Sequence, residues 1–391
     1  MAAKKDTPEF YQLDYANLPD ELFQSAVPAE KWLDRCVTTT EKSGFPLNSL
    51  NKVQPVDWVV EVERIIGISL YMILNVLPFL ILPMAILYFG VATPWAQYLV
   101  LFVLGYVAVL SFLETMVMQP IFQRRYQQAG YLLSDESDFR NNQYVFTERN
   151  TCKYLSASYV WPHSIHPPAL AKTPVLFCIV PHGVGPFGIT AYPIWSKLWN
   201  AKLCHWTTAP VVLNIPIVGY LLRKIGYIPA KAPQILKTLT EQEDNVGVIL
   251  DGIAGMFQDS SHKKELAYLK KRKGIVKIAL KAGVPIIPVY AFGHTAAYSV
   301  LVDPFGILEH LSNSLNTSLT PFFGRWGWLL GPPRRVPVTV CLGNPVHCPK
   351  TESPTQEQIN EYHAKLLEGY QQVFDQHKTA YGWKDKTLEF V

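Results

Sequence analysis

Between Arg64 and Glu114 the chain carries no charged side chain, and this run of 49 residues, Ile65–Leu113, limits what it can fold into more than any other feature. One helical crossing of a bilayer takes about 20 residues, so the run is too long for one span and suits two. Gly90-Val91-Ala92-Thr93-Pro94 breaks it, with Trp95 and Tyr98 placed as interface anchors. The expectation is a membrane helical hairpin over residues 65–118, with helices at Ile66–Tyr88 and Trp95–Met118. Asn75, Pro78 and Pro83 interrupt the first helix and leave a re-entrant element open. Lys52 and Arg64 lie before the run and Arg124 and Arg125 after it, while the turn has no basic residue. Both ends are therefore expected on the cytosolic side. Glu114, one turn before Gln119, is read as an interface residue.

Residues 1–64 read as a cytosolic N-terminal segment, partly ordered at best, with an early helix near Asp20–Val27. Met1–Phe10 carries Lys4, Lys5, Asp6 and Glu9 and no apolar core, so no cleavable signal peptide is expected. Across the whole chain 49% of residues are hydrophobic and 17% charged, a deficit the uncharged run concentrates. A net charge of +4 gives no case for nucleic acid and leaves membrane surfaces or anionic cofactors open. Six scattered cysteines without a Cys-x-x-Cys pair read as reduced thiols.

From residue 119 to 391 the pattern turns globular. Apolar runs at Val175–Val180, Val246–Leu250, Pro285–Ala291 and Val336–Leu342 predict buried strands. Helical patterns at Ile217–Ile225, Gln234–Thr240 and Gly274–Ala282 lie between them, and a long helix over Thr355–Lys378 closes the chain. Alternation of this kind predicts an α/β domain with a largely parallel central sheet.

Val175–Thr190 is the stretch with most chemistry. The strand stops at Pro181, and His182 follows among Gly183, Gly185, Pro186 and Gly188. An imidazole at a strand's carboxyl end, beside residues that let a substrate approach, suits removal of a proton from a hydroxyl. The alternative is a loop histidine that caps the next helix. Asp251, at another strand end, is a candidate to orient His182, or else a turn-forming Asp-Gly. His294, after Phe292-Gly293, is a second strand-end imidazole that competes with His182 but lacks its glycines. Eight basic residues crowd His262–Lys281 against one acid, Glu265. Lys270, Lys273, Lys277 and Lys281 share one helical face, with Ile275, Ile278 and Ala282 on the other. The face is either solvated or attracts phosphates, and Gly274 would add free backbone donors. No Gly-x-Ser-x-Gly elbow occurs, and Cys178 lies inside an apolar strand. His205, His262, His294 and His347 show no metal-ligand spacing. The sequon Asn316-Thr317-Ser318 faces the cytosol on this topology and stays bare.

Several blocks in one order carry a family resemblance. They are Pro181-His182-Gly183, Arg272-Lys273-Gly274 with the helix after it, Phe292-Gly293, Pro354-Thr355 leading to Tyr362-His363, His377-Lys378 and Tyr381-Gly382. With them the chain resembles the type-2 diacylglycerol acyltransferases and their monoacylglycerol and wax-alcohol acyltransferase relatives. The resemblance implies an endoplasmic-reticulum membrane enzyme, also found at lipid droplets, that moves an acyl group from acyl-CoA to diacylglycerol. It implies His182 as the catalytic histidine. Pro181, Gly183 and Gly185 would shape the oxyanion loop, and Arg272, Lys273, Gly274 and Lys277 would bind acyl-CoA. Phe292, Gly293 and His294 would support the site. Acyl-CoA is a substrate, so no cofactor or metal is expected; membrane lipid is a partner and a homo-oligomer stays open.

The chain also departs from the family pattern. Val180 replaces a histidine, Gly219 and Tyr220 replace an Arg-Glu pair, and His294 stands where glutamate is common. The Gly-Gly-x-x-Glu block reads Asp251-Gly252-Ile253-Ala254-Gly255, which makes Asp251 the candidate substitute for the glutamate. These departures are similar to those of algal or protist branches. Monoacylglycerol or a long-chain alcohol is the alternative acceptor, and a non-catalytic lipid-droplet hairpin scaffold is a second alternative. A phospholipid-type acyltransferase would have aspartate where Phe187 stands.

Overall fold

The computed structural model describes residues 10–14, 37–40, 151–165, 173–191, 204–214, 226–257, 263–301, 321–329 and 331–391, with isolated residues between them. Nearly all of the expected hairpin, the early helix at Asp20–Val27 and most of Ile217–Ile225 lie outside the described residues. Val62, Ile65, Tyr98 and Leu101 are described and helical. Among the described residues no helix is long and apolar enough to cross a membrane.

Thirteen strands follow one another among the described residues. They are β1 (Phe10–Asp14), β2 (Val37–Thr40), β3 (Ser158–Pro162), β4 (Leu176–Val180), β5 (Cys204–Thr208), β6 (Ile228–Pro229), β7 (Asn245–Ile249), β8 (Lys264–Ala267), β9 (Ile286–Phe292), β10 (Ser299–Val300), β11 (Phe322–Phe323), β12 (Thr339–Leu342) and β13 (Thr387–Phe390). The α-helices used below are α1 (Pro210–Asn214), α2 (Ala232–Thr240), α3 (Gly252–Met256), α4 (Gly274–Ala282) and α5 (Gln356–His377).

Nine of these strands form the central sheet, in the order β2-β1-β3-β12-β9-β4-β7-β5-β6. β4 pairs parallel with both β7 and β9, β5 with both β7 and β6, and β12 with β3. The pairings of β12 with β9, of β1 with β3 and of β1 with β2 are antiparallel. The sheet is thus mixed and largely parallel. β4 and β9 are buried at every position, as their unbroken apolar runs require when both faces are covered. One apolar layer holds Phe177, Ile179, Phe187, Val289 and Tyr298. The other holds Cys178, Val180, Tyr290, Ile275, Ala279, Leu366, Tyr370 and Phe374, where α4 and α5 pack.

The sequence pattern places α4 where it is found, ended by Gly283 in the left-handed region. Its buried stripe is Ile275, Val276, Ala279 and Leu280, while Ile278 is only half-buried. α5 starts from a capping box: the Thr355 hydroxyl accepts from the Gln358 amide, and the Gln358 side chain accepts from the Thr355 amide. Midway along α5, Tyr370 donates to the Cys178 carbonyl at 2.8 Å and fixes the helix to β4.

Two local expectations need correction. The run Val336–Leu342 becomes strand only from Thr339, because Pro337 has no N–H to give a ladder. Phe10–Asp14, inside the supposedly loose N-terminal segment, pairs along its whole length with β3. Phe10 packs edge-on against the buried ring of His377 at 4.9 Å, which ties this strand to the last helix.

Candidate active site

The strand order explains why three distant stretches meet. After β4 the chain builds β5, β6 and β7 on one side of it, then crosses to β9 and β12 on the other. Such a reversal opens a crevice at the carboxyl ends of the strands. Ile179 is level with Ile249 and Val180 with Tyr290. Within a few residues of those rungs come His182 after β4, Asp251 after β7 and His294 after β9, so all three strand-end candidates converge.

His182 sits at the start of a bent loop. The Val180–Pro181 peptide is cis and Gly183 has φ +59°, a left-handed conformation that favours glycine. A Cβ on Gly183 would lie 2.7 Å from the His294 carbonyl oxygen. His182 is half-buried. Its Nδ1 lies 2.7 Å from the Gly183 carbonyl oxygen, which can only accept, so Nδ1 bears the hydrogen. Nε2 then presents its lone pair and has no hydrogen-bond partner among the described residues. Burial lowers the pKa of the ring, opposed by the bond to Gly183.

Asp251 is fully buried, and it grips the main chain of His182 instead of the ring: the His182 amide donates to Oδ2 at 3.0 Å. Oδ1 has no hydrogen-bond partner among the described residues. Burial raises the carboxyl pKa to about 7, against the pull of the His182 amide and of Arg272. Asp251 precedes α3 without a side-chain cap bond, and Gly252 after it has φ +57°, a backbone that a turn-forming Asp-Gly uses.

His294 is 1% exposed and both of its nitrogens are engaged. Nδ1 lies 2.8 Å from the Pro181 carbonyl, and the Gly188 amide donates to Nε2 at 2.6 Å. A carbonyl only accepts and an amide only donates, so the ring is fixed as the neutral Nδ1–H tautomer. Burial lowers its pKa to about 4. A ring so held cannot serve as a general base. It clamps both ends of the loop Pro181–Gly188. Gly188 is needed there, since a Cβ would meet His294 Nε2 at 2.9 Å.

Phe292 stacks in a buried aromatic group with Phe374, Tyr381 and Trp383. At Gly293, φ is +90° and a Cβ would lie 2.3 Å from the Pro337 carbonyl, the acceptor of the Tyr381 hydroxyl. The basic stretch reaches the same corner. The Arg272 guanidinium lies 3.4 Å from where a Cβ on Gly252 would be, beside Asp251. Gly274 opens α4 with nothing within 4 Å of its would-be Cβ, and Lys277 is exposed. Lys273 donates to Asn360 at 2.7 Å. Gly185 has a tight fit, its would-be Cβ lying 2.5 Å from the Phe187 ring.

The pattern gave no role to Glu265, noticed only as the one acid of a basic stretch. It is 2% exposed, accepts from Thr295 at 3.1 Å and pairs with Lys386 at 2.6 Å. This pair joins the C-terminal strand to the turn that carries His294. Among the described residues no group of three or more His, Cys, Asp or Glu side chains is placed to hold a metal ion. Cys178 is fully buried, and burial pushes its thiol pKa well up, which leaves it unsuited to attack.

Residues 140–391 match the family model described as diacylglycerol acyltransferase. The chain belongs to this family. Human acyl-CoA wax alcohol acyltransferase 2 is 38% identical over 61% of this chain and 75% of its own length. Xenopus tropicalis diacylglycerol O-acyltransferase 2 is 30% identical over 55% of this chain, which spans just under two thirds, 64%, of that relative. Bos taurus 2-acylglycerol O-acyltransferase 1 is 28% identical over 55% of this chain and 69% of its own length. No solved structure matches the chain. The names of these relatives span three acceptors: a long-chain alcohol, diacylglycerol and 2-acylglycerol.

Proposed function

We propose that this acyltransferase transfers a fatty acyl group from acyl-CoA to the free hydroxyl of diacylglycerol, with His182 as general base. The observation that carries the reading is the His182 ring, tied at Nδ1 by the Gly183 carbonyl and open at Nε2, at the carboxyl end of β4. Nε2 takes the hydroxyl proton as the oxygen attacks the thioester carbonyl. The tetrahedral intermediate expels the CoA thiolate, which recovers the proton from the imidazolium. The amides of Gly183, Val184 and Gly185 have no partner among the described residues and would face the developing oxyanion. Arg272, Lys273, Lys277 and the open start of α4 would hold the phosphates of CoA. A thioester is already activated, so the transfer calls for no cofactor.

Asp251, on this reading, is a positioning residue that fixes the His182 backbone. His294 positions the loop from the opposite side. The hairpin at residues 65–118 would anchor the enzyme in the endoplasmic-reticulum membrane with both ends cytosolic, and lipid droplets are a second location. Monoacylglycerol and long-chain alcohols are the rival acceptors, since the 2-acylglycerol relative is matched at 28% identity and the wax alcohol relative at 38%, against 30% for the diacylglycerol relative. Expression in cells unable to make triacylglycerol, with the three acceptors supplied in parallel to microsomes, tests the choice. Triacylglycerol formed by wild type and lost in His182→Ala supports the proposal. Wax ester or diacylglycerol as the sole product overturns the acceptor, and no ester of any kind would leave the scaffold reading.

A further inference from the structure

Apolar side chains of this size are rarely left in water unless something covers them. Trp326 is 59% exposed, Trp328 61% and Leu329 58%, and Leu301, just after β10, is 46% exposed. The two indoles and Leu329 stand on one tight turn, Gly324–Leu329, closed by main-chain hydrogen bonds. The Gly324 amide donates to Trp328, the Gly331 amide to Trp328 and the Arg325 amide to Pro332. Phe323 bridges Leu329 across the turn. A Cβ on Gly324 would lie 2.0 Å from the Pro332 carbonyl, so the turn closes only with glycine there. Trp326 itself is held at φ +59°, a conformation bulky side chains avoid. The fold therefore accepts strain at a residue whose ring it leaves outside, with the indoles of Trp326 and Trp328 5.1 Å apart.

We infer that this turn inserts its two indoles and Leu329 into the interface of a phospholipid surface. Indoles prefer the headgroup level of a bilayer because one edge is apolar and the other donates a hydrogen bond. The charge of this stretch suits phosphate: Arg325 stands in the turn, Arg334 and Arg335 follow it in sequence, and no carboxylate occurs between Glu309 and Glu352. Arg325 lies 4.4 Å over the Trp326 ring, at the rim of the patch. A contiguous relay connects the patch to the catalytic loop. Phe322 packs on Tyr298 at 4.7 Å, Tyr298 on Phe187 at 6.1 Å and Phe187 edge-on to His294 at 6.5 Å. The Arg334 amide also donates to the Ala297 carbonyl, three residues after His294. A second lipid contact at this point would hold the crevice against the phase from which an apolar acceptor leaves. That use deepens the proposed reaction, but the insertion itself does not depend on turnover.

The test uses the full chain reconstituted into phosphatidylcholine vesicles whose acyl chains carry bromine near the headgroup. Wild type and Trp326→Phe/Trp328→Phe are compared by quenching of tryptophan emission. The two indoles are 2 of 10 tryptophans, so the variant is expected to lose about a fifth of the emission together with a quenchable component. Equal quenched fractions before and after the substitution overturn the inference. So does shielding of both indoles from bromolipid combined with a change of oligomeric state in the variant, which would make the patch a contact between copies. The milder phenylalanine substitutions keep the fold, and quenching is read without any assay of transfer. A protein that binds as expected but esterifies nothing thus overturns only the proposed reaction.

Discussion

Asp251→Asn is expected to stabilise the protein at neutral pH, although it alters a buried residue beside the candidate catalytic histidine. The carboxyl is fully buried and its pKa is raised from an ordinary 3.8 to about 7. Because the folded state binds the proton more tightly, folding takes up a proton between those values, and stability falls as pH rises through that window. Above about 7 both states are ionised and the loss is constant. The distance from 3.8 to about 7, at about 1.4 kcal/mol per pH unit, corresponds to about 4 kcal/mol. Asparagine mimics the protonated carboxyl: its oxygen still accepts from the His182 amide and its NH₂ takes the place of the carboxyl O–H. Its advantage should thus be about 1–2 kcal/mol at pH 5 and about 4 kcal/mol at pH 8. At roughly 2–4 °C per kcal/mol, the gap in Tm should widen by about 5–10 °C between these pH values. Thermal unfolding of both proteins in the same detergent across pH 5–8 measures it. Parallel curves for the two proteins would refute the claim that an ionised carboxylate is forced into this site. Transfer activity should fall by less than about tenfold, since the grip on His182 survives; tenfold corresponds to about 1.4 kcal/mol of barrier.

His182→Ala should lower transfer by about 10²- to 10⁴-fold without changing thermal stability by as much as Asp251→Ala does, and retention of near wild-type turnover would dismiss it as base. Burial lowers the His182 pKa, so the acid limb of kcat/KM should lie below pH 6.5, the ordinary value for the ring; a limb above it contradicts the assignment. His294→Ala leaves the Pro181 carbonyl and the Gly188 amide without their partner, at about 1–3 kcal/mol for each, while His294→Gln should restore part of the loss because an amide can supply an acceptor. The acid limb should keep its position in His294→Gln, whereas a shift would make His294 a titrating participant. Lys386→Met strands Glu265 in the core and should cost about 3–5 kcal/mol in denaturant unfolding. Burial already raises the Glu265 pKa, so this deficit should grow as pH rises above 4.5 and shrink in acid.

Where a segment is buried on both faces, its sequence says so plainly. β4 and β9 read as continuous apolar runs, and α4 and α5 show their caps and stripes in short range. β1 was illegible because Phe10-Tyr11-Gln12-Leu13-Asp14 mixes polar and apolar residues, and its burial depends on β3, about 150 residues away in sequence. Gln12 is buried there at 4% exposure, against its usual preference. The candidate site was legible as a set of strand ends, not as a network. His294 stands 113 residues from Pro181 and 106 from Gly188, so no local spacing could reveal the clamp. Likewise Asp251 was read as a partner for a ring, whereas the topology delivers its carboxylate to a backbone amide.

The same geometry explains how a glutamate can be missing from position 255. A Cβ on Gly255 would lie 2.2 Å from Oδ2 of Asp251, closer than packed atoms can approach. A side chain at 255 and the carboxylate at 251 therefore compete for one space, and the two positions can hold only one acid between them. Gly255→Glu alone should abolish transfer or prevent folding, since Asp251 has no room to retreat from a fully buried place. Asp251→Gly/Gly255→Glu empties that space and returns a carboxylate to it from the other side, one turn along α3. The double variant should recover a substantial part of the activity, giving a large favourable coupling in a double-mutant cycle. A double variant no better than Gly255→Glu would show that the carboxylate must be anchored at 251, and that the residues do not share one site.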